Sequence, residues 1–461
     1  MEFVETLGRW TIGTGPLYRR LASAIESAIR AGWLGPDQVL PSERMLANLL
    51  GVSRTTIDTA YEELASLGFI ATKRGSGTRV AALPSDARVG GRLVASTTYS
   101  SSRSRNGDVV DFTVGALISM PSGVAETMAS TLALSLQADP PYGPLGIQDL
   151  RESIARRYTA DGIATSADQI LVTTGAQQAI SLIAALFIEP GDRVAVEDST
   201  YFGALDAFRA AGARVTAFDT ANLGAVSGAR FFSVMASVHN PTGTTMLRAQ
   251  RSALLDAARA SGAPIIDDAA LADLQLDGRV HAPLAATHDD PMVITLGSLS
   301  KVAWAALRIG WVRAARATID RLARLKAVAD LGTSPVAQRL ALPLIERLDE
   351  LRIARRRETI ARVGKLAGLL RLQLPAWQFD DPSGGFALWV RLADGDGEAF
   401  AQLALDEGAL VTPGSRMAVD GRHRDRIRLT ALGDPERFAQ GVAALKRAAE
   451  RSSQGSASPS E

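Results

Sequence analysis

The stretch LPSERMLANLLGVSRTTIDTAYEELASLGFI at residues 40–70, continued by KRGSGTRV at 73–80, decides how the N-terminal part of this chain folds. Ser42 is placed to cap a short helix that reaches Leu50, and Gly51 punctuates its end. Ser53 can cap a third helix on which Ile57, Ala60, Tyr61 and Leu64 share a face, with Gly68 placed to stop it. Phe69–Thr72 and Thr78–Ala81 read as strands around Lys73-Arg74-Gly75-Ser76-Gly77, a hairpin with a glycine-rich tip. Upstream, Leu17, Leu21, Ile25 and Ile29 recur every four residues and lay an apolar stripe on a helix ending near Gly32. Three short helices followed by a hairpin predict a winged helix-turn-helix.

Such a domain reads DNA with the start of its third helix, here Ser53-Arg54-Thr55-Thr56, in the major groove. Arg54 can bind a guanine edge or a phosphate, Thr55 and Thr56 offer hydroxyls, and Arg44 on the preceding helix can reach the backbone or a base. The wing adds Lys73 and Arg74. Gly75 and Gly77 allow close approach to the minor groove, though turn geometry alone also explains them. This ordered set resembles the DNA-binding domain of the GntR family of regulators over residues 16–82. The resemblance implies a double-stranded DNA operator as partner, with contacts at Arg44, Arg54, Thr55, Thr56 and Gly75.

Further along, residues 83–108 turn to Ser, Thr, Gly and Arg without apolar periodicity and read as a linker between a domain at 1–82 and one at 109–451. In the second domain, strand-like runs such as Ile170–Thr173 and Arg193–Val196 alternate with longer helical stretches, the pattern of an α/β fold with a mostly parallel sheet. The last helix is expected to end near Arg451 and run into a disordered polar tail at 452–461.

Within the α/β region, Lys301 in Gly297-Ser298-Leu299-Ser300-Lys301 offers an amine that can bond an aldehyde cofactor, and Arg308 can return to bind a phosphate. Asp268 follows the apolar run Pro264-Ile265-Ile266 and so stands at a strand end, where α/β sheets present ligand groups. Asn240 in His239-Asn240-Pro241-Thr242-Gly243 can donate to a phenolic oxygen, or the segment is simply a turn. Together with Gly175-Ala176-Gln177, Tyr201 and Arg428, these residues stand in the order of fold-type I pyridoxal 5'-phosphate enzymes resembling aspartate aminotransferase, over residues 109–450.

That resemblance assigns Gly175, Ala176 and Gln177 to a phosphate cup at a helix N-terminus, completed by Ser298, Ser300 and Arg308. It stacks Tyr201 on the cofactor ring, pairs Asp268 with the ring nitrogen, and makes Lys301 the site of the internal aldimine. Arg428 would receive an effector carboxylate. Tyr142 matches a tyrosine that reaches the neighbouring subunit's phosphate, which implies a homodimer; its alternative is a packing role. One departure stands out: Ala270 occupies the position where many relatives carry a tyrosine facing the phenolic oxygen. Sustained turnover is therefore not expected.

Composition sets the outer limits. The 50 basic and 49 acidic residues leave a net charge of +1, so DNA affinity must come from a local patch. Without cysteine there is neither a disulfide nor a thiolate nucleophile, and no metal site is expected. The most apolar run, Ala179–Ile188, is too short to span a bilayer and no leader is evident, so a cytoplasmic protein without a membrane partner is expected. The two resemblances fused in this order identify the chain as similar to the MocR subfamily of GntR regulators. They imply a regulator that senses an amine, an amino acid or pyridoxal phosphate itself through an aldimine at Lys301. An active aminotransferase with an attached DNA-binding domain is the alternative.

Overall fold

Two serines and a glycine punctuate the first helices. The computed structural model describes the chain apart from residues 1–2, 9, 12–15, 31–33, 36–37, 74–76, 82–108, 119, 121–122, 133–141, 221–227, 279–282, 288–291, 394 and 457–461. Its N-terminal unit comprises α1 (Phe3–Leu7), α2 (Leu17–Arg30), α3 (Glu43–Leu50) and α4 (Arg54–Ser66), then the antiparallel hairpin of β1 (Ile70–Lys73) and β2 (Gly77–Val80). The Ser42 hydroxyl accepts the Met45 N–H at 3.3 Å and Ser53 accepts that of Thr56 at 3.1 Å, capping α3 and α4. Gly51, with φ of 66°, ends α3 in the left-handed region. Leu21, Ile25, Ile57 and Leu64 are fully buried, and the Tyr61 hydroxyl donates to the Pro41 carbonyl at 2.9 Å, tying α4 to the turn before α3. The short α1 carries no periodicity long enough to be read from sequence; it is held by Leu7 packed in this core. Arg74 and Gly75 of the wing, and the linker at 83–108, lie outside the described residues.

From residue 110 strands and helices alternate: β3 (Val110–Asp111), α5 (Val124–Leu132), α6 (Gln148–Ala160), β4 (Ile170–Thr173), α7 (Ala176–Phe187), β5 (Arg193–Glu197), α8 (Phe202–Ala210), β6 (Arg214–Phe218), β7 (Phe232–Val234), α9 (Arg248–Ser261), β8 (Ile265–Asp268), β9 (Val293–Ser298), β10 (Gly310–Arg313), α10 (Arg316–Asp330), α11 (Pro335–Glu346) and α12 (Leu348–Gln373). Seven of these strands form a sheet in the order β4-β10-β9-β8-β7-β5-β6. Only β10 runs against its neighbours in this sheet; the other pairs are parallel. Alternate residues feed two cores, Val172, Ile265 and Val293 on one face and Leu171, Ile266 and Ile294 on the other. Burial on both faces is why these strands read as unbroken apolar runs. The parallel strands all deliver their C-terminal ends to one edge, so Thr173, Glu197, Asp268 and Ser298 open onto the same crevice. Antiparallel β10 starts there, with Gly310 opposite both Thr173 and Ser298.

A smaller C-terminal lobe holds β11 (Ala387–Arg391), α13 (Gly397–Asp406), β12 (Ala409–Leu410), β13 (Thr412–Pro413), β14 (Arg426–Thr430) and α14 (Phe438–Ser456). Its antiparallel sheet has the order β11-β14-β13, and β3 pairs with β12, so the segment entering from residue 110 lies against this lobe. The expected tail from residue 452 needs correction: α14 continues to Ser456, and only 457–461 lie outside the described residues. The helix is already nucleated on its buried face by Leu445 and Ala448, and the Ser453 hydroxyl donates back to the Ala449 carbonyl at 3.1 Å. Among the described residues no helix is long and apolar enough to cross a membrane.

Candidate functional site

Asp268, Arg308 and Arg428, distant in sequence, all act on one lysine. Lys301 lies just beyond β9, and its Nζ donates to the Gly115 carbonyl. Asp268 ends β8, and one carboxylate oxygen accepts the Ala270 N–H at 3.0 Å. Asn240 follows β7 and accepts at Oδ1 from Arg428 Nη1 at 3.3 Å. The segment is a turn, closed by Gly243, with φ of 69°, which donates to the His239 carbonyl at 2.8 Å. Arg428, on β14, is buried; its Nη2 donates to the Thr113 carbonyl at 3.1 Å and lies 3.4 Å from Thr412 Oγ1. Its Nε has no partner among the described residues, so this buried guanidinium retains a donor.

The cup between β4 and α7 depends on glycines. Gly175 caps α7 with φ of 79°, and a Cβ there would stand 2.8 Å from Arg308 Nη2. Arg308 itself takes a left-handed φ of 55° before β10, which aims its side chain under the start of α7, where Nη2 donates to the Thr174 carbonyl at 2.9 Å. Gln177 donates from Nε2 to the Gly203 carbonyl at 3.1 Å, while its Oε1 is buried without a partner. The Tyr201 ring lies over Gly203, where a Cβ would come within 2.5 Å of Tyr201 Cζ. Ser298 and Ser300 are buried, and Ser298 Oγ accepts the Ser300 N–H at 3.2 Å. Ala176 forms the first residue of α7. Tyr142 stands apart from this group, exposed, beside the Gly143–Gly332 bridge.

Burial lowers the Lys301 amine to about 8; Asp268 pulls against that fall while Arg428 and Arg308 reinforce it. Burial raises Asp268, opposed by the Ala270 N–H and by Lys301. Its neighbour Asp267 is fully buried, accepts the Ala236 N–H at 3.2 Å, and is pushed up to about 6 by burial. Burial likewise lowers Arg428 to about 10 and raises Tyr201 to about 12. The arrangement can hold an anion at the cup and a carboxylate near Arg428, with an amine that is largely neutral slightly above physiological pH. Sequence reasoning missed Gly115, Thr113 and Thr174, because each contributes a backbone carbonyl that any residue type carries.

On the N-terminal unit, Arg44, Ser53, Arg54 and Thr55 are exposed. Arg54 pairs loosely with Asp58 at 3.8 Å and is free to exchange that carboxylate for another anion. Thr56 is half-buried and its hydroxyl lies 2.8 Å from that of Ser53, within the cap. Lys73 ends β1.

Residues 108–445 match the model of aminotransferase class I and II, and residues 17–80 match that of bacterial regulatory proteins of the gntR family. The chain therefore belongs to the aminotransferase class I and II family, with a GntR-type DNA-binding domain in front, the combination of the MocR subfamily of GntR regulators. It is 28% identical to the uncharacterized HTH-type transcriptional regulator YisV of Bacillus subtilis, over 91% of this chain and 94% of that protein. It is 27% identical to the probable rhizopine catabolism regulatory protein MocR of Rhizobium meliloti, over 94% of each. Among solved structures, the α-aminoadipate aminotransferase LysN of Thermus thermophilus, complexed with N-(5'-phosphopyridoxyl)-L-leucine, superposes with a TM-score of 0.68 at 26% identity, over 77% of this chain and 97% of that one.

The family and its structural neighbours imply pyridoxal 5'-phosphate as the cofactor. The residues present fit it. The bare backbone of Gly175 lets the Arg308 guanidinium come up against the start of α7, Gln177 Oε1 is a buried polar atom without a partner among the described residues, close to Gly203, and Lys301 and Asp268 supply an amine and a carboxylate that act on each other.

Proposed function

We infer that this DNA-binding regulator uses its aminotransferase-like domain as a sensor, with Lys301 as the group that an amine, an amino acid or the cofactor itself addresses. The observation that carries the reading is the contrast around Asp268. The binding groups are complete, whereas position 270 offers the cofactor's phenolic oxygen no hydroxyl and uses its backbone N–H on Asp268 instead. When bound, pyridoxal phosphate supplies an aldehyde that condenses with primary amines and a ring that withdraws electrons. The chain's own residues do the rest. Gly175, Ala176, Gln177, Ser298, Ser300 and Arg308 would hold the phosphate, Tyr201 would cover the ring, Asp268 would pair with its nitrogen, and Asn240, oriented by Arg428, would serve its oxygen. The spare Arg428 donor takes an effector carboxylate.

A homodimer accompanies this reading. Tyr142 and Leu331 are exposed large side chains on the two segments joined by the Gly143–Gly332 bridge, and Val328 and Val336 are exposed on either side of Leu331 in sequence. An isologous contact there would cover them and place Tyr142 at the neighbouring site. Two winged helices would then read paired half-sites, and an effector that prefers one dimer arrangement would change DNA affinity.

The test uses the full chain, loaded with pyridoxal phosphate, and a duplex selected by the protein from a random pool. Candidate amines are expected to shift the visible absorption and change duplex affinity while a keto-acid acceptor yields no sustained product; steady product without an effect on DNA would instead establish the enzyme. Arg54→Ala is expected to weaken duplex binding by about tenfold or more, the value of one bidentate base or phosphate contact. If the contact is to a phosphate, the salt dependence of binding should become shallower by about one counterion. Unchanged affinity and salt slope would remove Arg54 from the interface.

A further inference from the structure

Lys326 lies on α10 with its side chain wholly buried, yet belongs to no motif of either resemblance. A buried ammonium costs several kcal/mol unless its partners meet it, so the partners indicate its task. Its Nζ donates to the two Asp330 carboxylate oxygens at 2.9 and 2.7 Å and to Gln178 Oε1 at 3.0 Å. The same Gln178 Oε1 accepts the Thr174 N–H at 2.8 Å, and Gln178 Nε2 donates to Asp330 at 2.6 Å. Thr174 is the residue whose carbonyl receives Arg308 Nη2, and it immediately precedes the Gly175 cap of α7.

These bonds form a closed relay. Gln178 can serve Thr174 and Asp330 at once in only one amide orientation, and Lys326 enforces it by donating to the oxygen. Lys326 also neutralises Asp330, a carboxylate that would otherwise face an anion-binding helix start without a counter-charge. A helix ion pair serving only the fold would need neither Gln178 nor a fully buried lysine.

We propose that Lys326, with Asp330 and Gln178, is a positioning residue for the cofactor's phosphate: it touches neither phosphate nor ring, but sets the Thr174 peptide and, through it, Arg308. The proposal rests on the cofactor site described above and adds residues that the site's motifs leave out.

The test titrates apoprotein of the wild type, Lys326→Met and Gln178→Ala separately with pyridoxal phosphate and with pyridoxal, which lacks the phosphate, following tryptophan fluorescence and visible absorption. Affinity for pyridoxal phosphate is expected to fall about tenfold in both variants, the scale of one weakened charge-assisted hydrogen bond, while affinity for pyridoxal stays at the wild-type value. Inorganic phosphate should compete with pyridoxal phosphate less effectively in the variants than in the wild type. Equal losses for both ligands, or no loss for either, would overturn the proposal and leave Lys326 a structural ion pair. Should Lys326→Met fail to fold, Gln178→Ala decides alone, because it leaves the Lys326–Asp330 pair in place. Failure of the wild type to bind pyridoxal phosphate would strike the sensor reading instead, so the two failures are distinguishable.

Discussion

Lys301→Ala is expected to fold like the wild type but to lose all borohydride-stable attachment of pyridoxal phosphate, an all-or-none difference that intact-protein mass spectrometry reads directly. The wild type should gain one cofactor mass and the variant none. Lys301 is half-buried and, among the described residues, its amine donates to one backbone carbonyl, that of Gly115, so its removal leaves little unsatisfied. The pH dependence carries the finer information. Only a neutral amine attacks an aldehyde, and the Lys301 amine sits near 8 because burial lowers it, with Arg428 and Arg308 adding to the fall and Asp268 opposing it. Attachment to the apoprotein should therefore accelerate about tenfold per pH unit below that value and level off above it. Asp268→Asn removes the opposing carboxylate, so the midpoint should move to lower pH. A rate still climbing at pH 10 would mean that the lysine is solvated like an ordinary one and that the charge cluster does not act on it.

The second large effect comes from a residue without functional groups. Gly310→Ala should disrupt the cup, because a Cβ at this position would stand 2.7 Å from the Gly175 carbonyl carbon, 2.9 Å from the Ala176 nitrogen and 2.9 Å from the Gly297 oxygen. All three are backbone atoms, two at the start of α7 and one on β9, and none can rotate aside. The start of α7 and β9 must shift away from β10, at a cost of roughly 1–3 kcal/mol for one added carbon in a packed interior. The displaced atoms are those of the phosphate cup, so loss of pyridoxal phosphate affinity should accompany the lowered urea midpoint. Gly364→Ala on α12 is the control. Nothing lies within 4 Å of its added carbon, so this change should leave cofactor affinity intact and raise stability by about 0.5–1 kcal/mol. Equal behaviour of the two variants would show that the cup tolerates displacement.

How much was legible from sequence differs between the two parts of the chain. In the winged helix nearly every element was, because its signals are local: Ser42 and Ser53 cap helices that begin within three residues of them, and Gly51 ends one within a single peptide. In the α/β part, Ile170–Thr173 and Asp268 at the end of β8 were legible because strands buried on both faces are largely apolar along their length and polar where they end. Lys301, Arg308 and Arg428 could be singled out only as an ordered set that resembles a known family. Chain spacing alone cannot bring together residues separated by more than a hundred positions.

The sequence by itself determined the element types, the helix caps and the chemistry available at each strand end, since caps, periodicity and side-chain type act over a few neighbouring residues. Tertiary structure alone decided that antiparallel β10 carries Gly310 beneath the cup, that Arg308 turns left-handed to reach Thr174, and that Lys326, anonymous in the sequence, stands behind Gln178. Those facts depend on which strands pair and which side chains lose their water on folding. Both are settled by contacts between distant parts of the chain.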